Sequence, residues 1–120
     1  MSETVYIIHQ LLEERVRLVD ALKGEPVIVK SYDSGEQFLH QVSSTSSGCV
    51  LVSVDLPGLR PLMVEIQRRS LALAVVVLGR DSEFTIAVEL VRNGAFDFLE
   101  DPVSGGRLRS IVRRAVGTAI

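Results

Sequence analysis

Short, strongly apolar runs alternate with longer amphipathic ones along the whole chain, and few folds accommodate that pattern. A short apolar run between turn residues suits a strand buried on both faces, and an amphipathic run suits a crossover helix. The strands are expected at Val5–Ile8, Val27–Val29, Cys49–Val54, Ala74–Leu78 and Phe96–Leu99. Between them, Leu12, Val16, Val19 and Leu22 recur at helical spacing and predict one buried stripe that stops at Gly24. A short helix after Asp33-Ser34-Gly35 carries Phe38, Leu39 and Val42, and Pro61 suits the first turn of a third helix running through Ile66 toward Leu71. A fourth helix from Glu83 to Asn93 buries Ile86, Ala87 and Leu90, and Asn93-Gly94 ends it. The last helix starts near Ser104 and puts Leu108, Ile111, Val112, Ala115 and Val116 on one face. Repeated βα units with right-handed crossovers make a doubly wound five-stranded parallel sheet in a three-layer α/β sandwich.

Length and composition bound the function. A chain of 120 residues with 47% hydrophobic and 23% charged residues is expected to form one domain, residues 1–120, with a core that needs no staple. The lone Cys49 permits neither an internal disulfide nor a multi-cysteine zinc site, and it opens a buried strand, so it reads as a small hydrophobe. A net charge of −2 gives no positive field for a phosphate backbone, and two tyrosines, four phenylalanines and no tryptophan make a poor stacking platform. DNA is therefore expected to be touched only by a separate domain. No apolar run approaches the roughly 20 residues of a membrane-spanning helix, and Met1-Ser2-Glu3-Thr4 lacks the features of a secretory signal. A cytoplasmic location without membrane contact is expected.

In a doubly wound sheet, ligands bind outside the carboxyl ends of the strands. That rule selects His9 and Gln10, then Ser53, Val54 and Asp55, then Gly79, Arg80 and Asp81, then Glu100, Asp101 and Pro102.

The block Asn93-Gly94-Ala95-Phe96-Asp97-Phe98-Leu99-Glu100-Asp101-Pro102 is the most specific signature in the chain. Together with Val5-Tyr6-Ile7-Ile8, Ser34-Gly35-Glu36-Gln37-Phe38-Leu39 and Gly48-Cys49-Val50-Leu51-Val52 before Leu56-Pro57-Gly58, it resembles response regulator receiver domains of the FixJ-like subgroup. The resemblance spans nearly the whole chain and implies the (βα)5, flavodoxin-like receiver topology. It also implies chemistry: an aspartate ending the third strand accepts a phosphoryl group, an acidic pair after the first strand helps to hold Mg²⁺, and a Thr or Ser and a Lys read the phosphoryl oxygens. Aligned by Pro57 and Pro102, Ser53 falls on the phosphoacceptor, His9 and Gln10 on the acidic pair, Gly79 on the Thr or Ser, and Asp101 on the lysine. The resemblance further suggests a cis Asp101-Pro102 bond, and aligns Phe98 with the aromatic that swings inward on activation.

The expected function is a phosphorylation-independent receiver, a signalling and dimerisation module that is not an enzyme and needs no cofactor. Its regulator would be a protein contact, concentration or a ligand. Pairing is expected through helix 4, strand 5 and helix 5, with Glu89, Asp97 and Glu100 facing Arg107 and Arg113; exposed ion pairs contribute only about 0–1 kcal/mol each, so apolar contacts must do the rest. The alternative is a small-molecule or metal sensor using a crevice of His9, Ser53, Asp55, Arg80 and Asp101. Within it, His9, Asp55 and Asp101 are candidate metal ligands, and a His9–Asp101 pair is a candidate pH sensor. The plainer expectations are a hydrogen-bonded loop residue for His9, a small filler for Ser53, a turn cap for Asp55 and static packing for Phe98.

Overall fold

The computed structural model describes residues 3–80 and 84–119. The chain runs β1 (Glu3–Ile8), α1 (Leu12–Ala21), β2 (Val27–Tyr32), α2 (Gly35–Gln41), β3 (Ser47–Ser53), α3 (Leu59–Arg68), β4 (Ala72–Gly79), α4 (Phe84–Arg92), β5 (Asp97–Glu100) and α5 (Gly105–Ala119). All strands are parallel, in the order β2-β1-β3-β4-β5. The expected doubly wound sandwich is therefore present. Strand β2 extends past Val29 to Tyr32, paired with β1 over its full length, because the edge position lets it carry Lys30 and Ser31 on exposed faces. The Asp101-Pro102 peptide is cis, as the resemblance implies.

Strand alternation sorts the core into two layers. Val5, Ile7, Cys49, Leu51, Ala74, Val76 and Leu78 point to the side covered by α1 and α5, whereas Tyr6, Ile8, Val50, Val52, Val75 and Val77 meet α2, α3 and α4. From Gly48 to Ser53 every residue of β3 is buried, the signature of a central parallel strand. Gly48 itself has φ +136°, and a Cβ there would run into the carbonyl oxygen of Thr4 on β1, so the close approach of these two strands requires glycine. Phe38 packs edge-on against both Tyr6 and Tyr32, with centroids 5.3 and 5.9 Å away, and ties α2 to the sheet.

The helices match the expected stripes unequally. On α5, Leu108, Ile111, Val112 and Ala115 are buried and Val116 partly so. On α1, the expected stripe is corrected: Leu12 and Val16 are 62% and 55% exposed, and the buried side carries Leu18 and, at the C-cap, Leu22. The reason is Arg15. It sits one turn before Leu18 on the inward side, and its guanidinium donates to the His9 carbonyl at 2.6 Å, so a cation occupies the place an apolar stripe would claim. Helix α3 starts at Leu59, two residues before Pro61, after Gly58 in a left-handed turn. The expectations placed on Asp81, Glu83 and the side chain of Ala87 lie outside the described residues.

Candidate functional site

The sheet ladder continues past the strand ends and sets the floor of one cleft. His9 N–H donates to the Tyr32 carbonyl at 3.1 Å, Val54 N–H to that of Leu78 at 2.8 Å, and Asp101 N–H to that of Gly79 at 2.7 Å. These bonds prolong the β1–β2, β3–β4 and β4–β5 ladders, and with β1 paired to β3 up to Ile8 and Val52 the carboxyl ends of β1, β3, β4 and β5 lie side by side. The result is a cleft of about 210 Å³ lined by His9, Gln10, Ser53, Asp55, Gly79, Arg80 and Asp101, joined by Leu11, Glu14 and Leu78. The topological rule selects His9, Gln10, Ser53, Asp55, Gly79, Arg80 and Asp101 of this lining, whereas its Val54, Glu100 and Pro102 lie off it and its Asp81 is outside the described residues. It misses the contributions of α1, whose only sequence signal is a Glu14–Arg17 pair at helical spacing.

Each polar group in the cleft has an internal engagement. His9 is 6% exposed, and its Nδ1 accepts from the Leu11 N–H at 3.1 Å, which fixes the neutral ring with its proton on Nε2. Burial pushes the His9 pKa below its ordinary value; Glu14 and Asp101 oppose that shift and Arg15 and Arg17 add to it. Ser53, also 6% exposed, accepts from the Asp55 N–H through Oγ at 3.1 Å, a local turn bond. Gln10 Nε2 donates to the Asp55 carbonyl at 3.4 Å, and Arg80 lies 3.9 Å from the Asp55 carboxylate. Arg17 forks onto Glu14, at 2.9 and 3.3 Å, and stands 3.7 Å from Asp101. Those hydrogen bonds hold the Glu14 carboxyl below its usual range.

This donor set does not suit magnesium. A hard dication takes carboxylate, carbonyl and water oxygens, whereas the ends of β1 and β3 offer an imidazole, an amide and a hydroxyl, and the imidazole and the hydroxyl already accept backbone N–H groups. The nearest carboxylates, Glu14, Asp55 and Asp101, face arginines. Among the described residues no group of three or more His, Cys, Asp and Glu is placed to hold a metal ion, so His9, Asp55 and Asp101 do not form the metal trio expected of them. Cys49 is buried among apolar neighbours that push its thiol up to about 12, consistent with a packing role.

The response regulator receiver domain profile matches residues 7–113. The chain belongs to the response regulator receiver domain family. Among curated relatives, this receiver is 29% identical to the transcriptional regulatory protein FixJ of Azorhizobium caulinodans, over 97% of this chain and 56% of that protein. It is 36% identical to the tetrathionate response regulatory protein TtrR of Salmonella typhimurium, over 73% of this chain and 44% of that protein. Full-length FixJ from B. japonicum superimposes with a TM-score of 0.89 at 26% identity, covering 99% of this chain and 60% of that one. The receiver spans about half the length of the curated relatives it matches.

The surface proposed for pairing is partly engaged within the receiver. Glu89 of α4 receives a two-pronged bond from Arg60 of α3, both contacts 2.9 Å, and Arg113 of α5 does the same to Glu25 before β2 at 2.8 and 3.0 Å. Asp97 accepts from the Phe98 N–H at 2.7 Å. Glu100 and Arg107 are exposed, and so are the apolar Val88 and Val91 of α4. Phe98 is half-buried against the α2–α4 side of the core. No helix among the described residues is long and apolar enough to cross a membrane.

Proposed function

We propose that this receiver is a phosphorylation-independent interaction module of a two-component-type transcriptional regulator, working in the cytoplasm without enzymatic activity of its own. The observation that carries the reading is the state of the cleft. The acceptor position is a buried serine hydroxyl turned to its own loop, and the metal positions hold an imidazole and an amide that bridge backbone groups. Phosphoryl transfer depends on positioning and on cations that neutralise developing charge. Here Arg17 and Arg80 stand beside carboxylates of the chain itself. The signal then has to arrive by contact, concentration or a ligand rather than from a kinase.

The output proposed is homodimer formation through α4, β5 and α5. Val88 and Val91, 39% and 46% exposed, supply the apolar contacts such an interface needs. With Glu89 and Arg113 held inside each chain, Asp97, Glu100 and Arg107 are left as the charge-complementary part. DNA contact belongs to a separate output domain. Sedimentation equilibrium with and without Mg²⁺ and acetyl phosphate tests this: a dimer of donor-independent affinity is expected, and a donor-dependent association would overturn it. A small-molecule sensor is the second reading, favoured by the cleft itself. Its roughly 210 Å³ lies below the ~300–1,000 Å³ of typical ligand pockets, so only a small polar ligand fits. Thermal stabilisation in a metabolite screen would support that reading over a pure contact module.

A further inference from the structure

His9 joins three parts of the molecule through different atoms. Its N–H is held by Tyr32 of β2, its carbonyl by Arg15 of α1, and its ring nitrogen Nδ1 by the N–H of Leu11, the N-cap residue of α1. The backbone is therefore pinned on both sides, and the ring alone has freedom to change partner. The ring bond is also the side-chain contact that the entry to α1 possesses, since Leu11 has no capping side chain of its own.

That bond exists only for the neutral ring. A proton on Nδ1 turns an acceptor into a donor aimed at another donor, and the contact with Leu11 must break. The groups around the ring make a second arrangement available. From α1 come Glu14, Arg15 and Arg17; from the β5–α5 junction, Asp101; from the β3–α3 loop, Asp55, held near Arg80 of the β4–α4 loop; and Tyr32 of β2 presents its carbonyl. In the neutral state Arg17 serves the two carboxylates Glu14 and Asp101. An imidazolium competes with Arg17 for the same two anions.

We infer that His9 makes the β1–α1 junction a proton-operated switch: the neutral ring holds the first turn of α1 through Leu11, and the protonated ring releases Leu11 and turns to Asp101 and Glu14. This rests on the reading of the cleft as phosphorylation-independent, and gives that cleft a proton as its input. The turn released carries the exposed apolar side chains Leu11 and Leu12, 48% and 62% accessible, so the switch alters a surface that another protein can read. Burial sets its direction, because the ring resists protonation until the pH falls below the ordinary histidine value of 6.5.

The test is an NMR titration of the uniformly labelled protein from neutral to mildly acidic pH, following the His9 ring nitrogens and the Leu11 amide together. The expected result is an Nε2–H tautomer at neutral pH and one shared midpoint below 6.5 for ring and amide. His40→Gln, at an exposed position on α2, is the control variant and should leave the Leu11 response unchanged. In His9→Asn, whose side-chain oxygen can accept the same N–H, the Leu11 amide should lose its pH response. Should that variant not fold, Asp101→Asn serves: removing a carboxylate that favours the charged ring should move the shared midpoint further down. A Leu11 amide that ignores the ring, or a midpoint unchanged in Asp101→Asn, overturns the inference. Adding Mg²⁺ and acetyl phosphate to the same sample separates the two readings. Donor-driven shifts at Ser53 and Asp55 overturn phosphorylation independence while leaving the coupled titration standing; an uncoupled titration with no donor response overturns the switch alone.

Discussion

Helices α1 and α5 cover the same face of the sheet, yet they use their sequences differently. Helix α5 lies over the centre, against β1, β3 and β4, and buries four apolar residues in succession. Helix α1 lies toward the β2 edge and buries Leu18, with Leu22 just past its end, while Leu12 and Val16 stay in solvent. What α1 gives up in packing it returns in charge, because Glu14 lines the cleft, Arg15 bonds the His9 carbonyl and Arg17 stands beside Asp101. Arg109 of α5 ties the pair together by donating to the Ala21 carbonyl at 3.3 Å, and Arg113 of α5 forks onto Glu25 in the loop between α1 and β2. One helix stabilises the scaffold and its neighbour furnishes the site. Periodicity describes the first kind of helix well and the second kind poorly.

The sharpest way to break this contrast is to truncate both helices. Leu108→Ala, which opens a fully buried position under α5, is expected to cost about 3–5 kcal/mol in a urea unfolding curve. Arg15→Met keeps the stem of α1's inward side chain but removes its bond to the His9 carbonyl, and should cost about 1–2 kcal/mol while loosening the first turn of α1 in hydrogen exchange. A smaller effect is expected from pH. Because the folded state resists charging His9, the unfolded chain binds the extra proton first, so stability contributed by the neutral ring is full above 6.5 and is lost as pH falls from there toward the lower folded-state value. Unfolding curves at several pH values should show that slope in the native protein and a weaker one in His9→Asn. Least of all, Leu12→Ser should stay within about 0.5 kcal/mol of the parent, since its side chain is already in water. A large loss there would restore Leu12 to the core and erase the difference between the two helices.

Much of the scaffold was legible before the structure. The central strands are apolar on both faces and could be nothing else in a βα alternation, the α5 stripe is regular, and the loop residues of the cleft follow from topology. What escaped depends on reach. Nothing in a hydrophobic period says that Arg15 turns inward to a carbonyl six residues back, or that Arg17 stands beside Asp101 across the cleft. The engagement of Glu89 by Arg60 and of Arg113 by Glu25 was hidden for the same reason, since each joins elements far apart in the chain. Most loop residues that line the cleft could be named in advance; Leu11 and Glu14, and the partners of all of them, could not.

The central claim is that the cleft does not accept a phosphoryl group. Intact-mass measurement of the protein after incubation with Mg²⁺ and acetyl phosphate, with a receiver that keeps an aspartate phosphoacceptor and takes up the phosphoryl group treated in parallel, addresses it most directly. The account predicts an unchanged mass for this chain while the parallel sample gains one phosphoryl group. A gain of that mass here, mapped by fragmentation to Ser53 or Asp55, would contradict it.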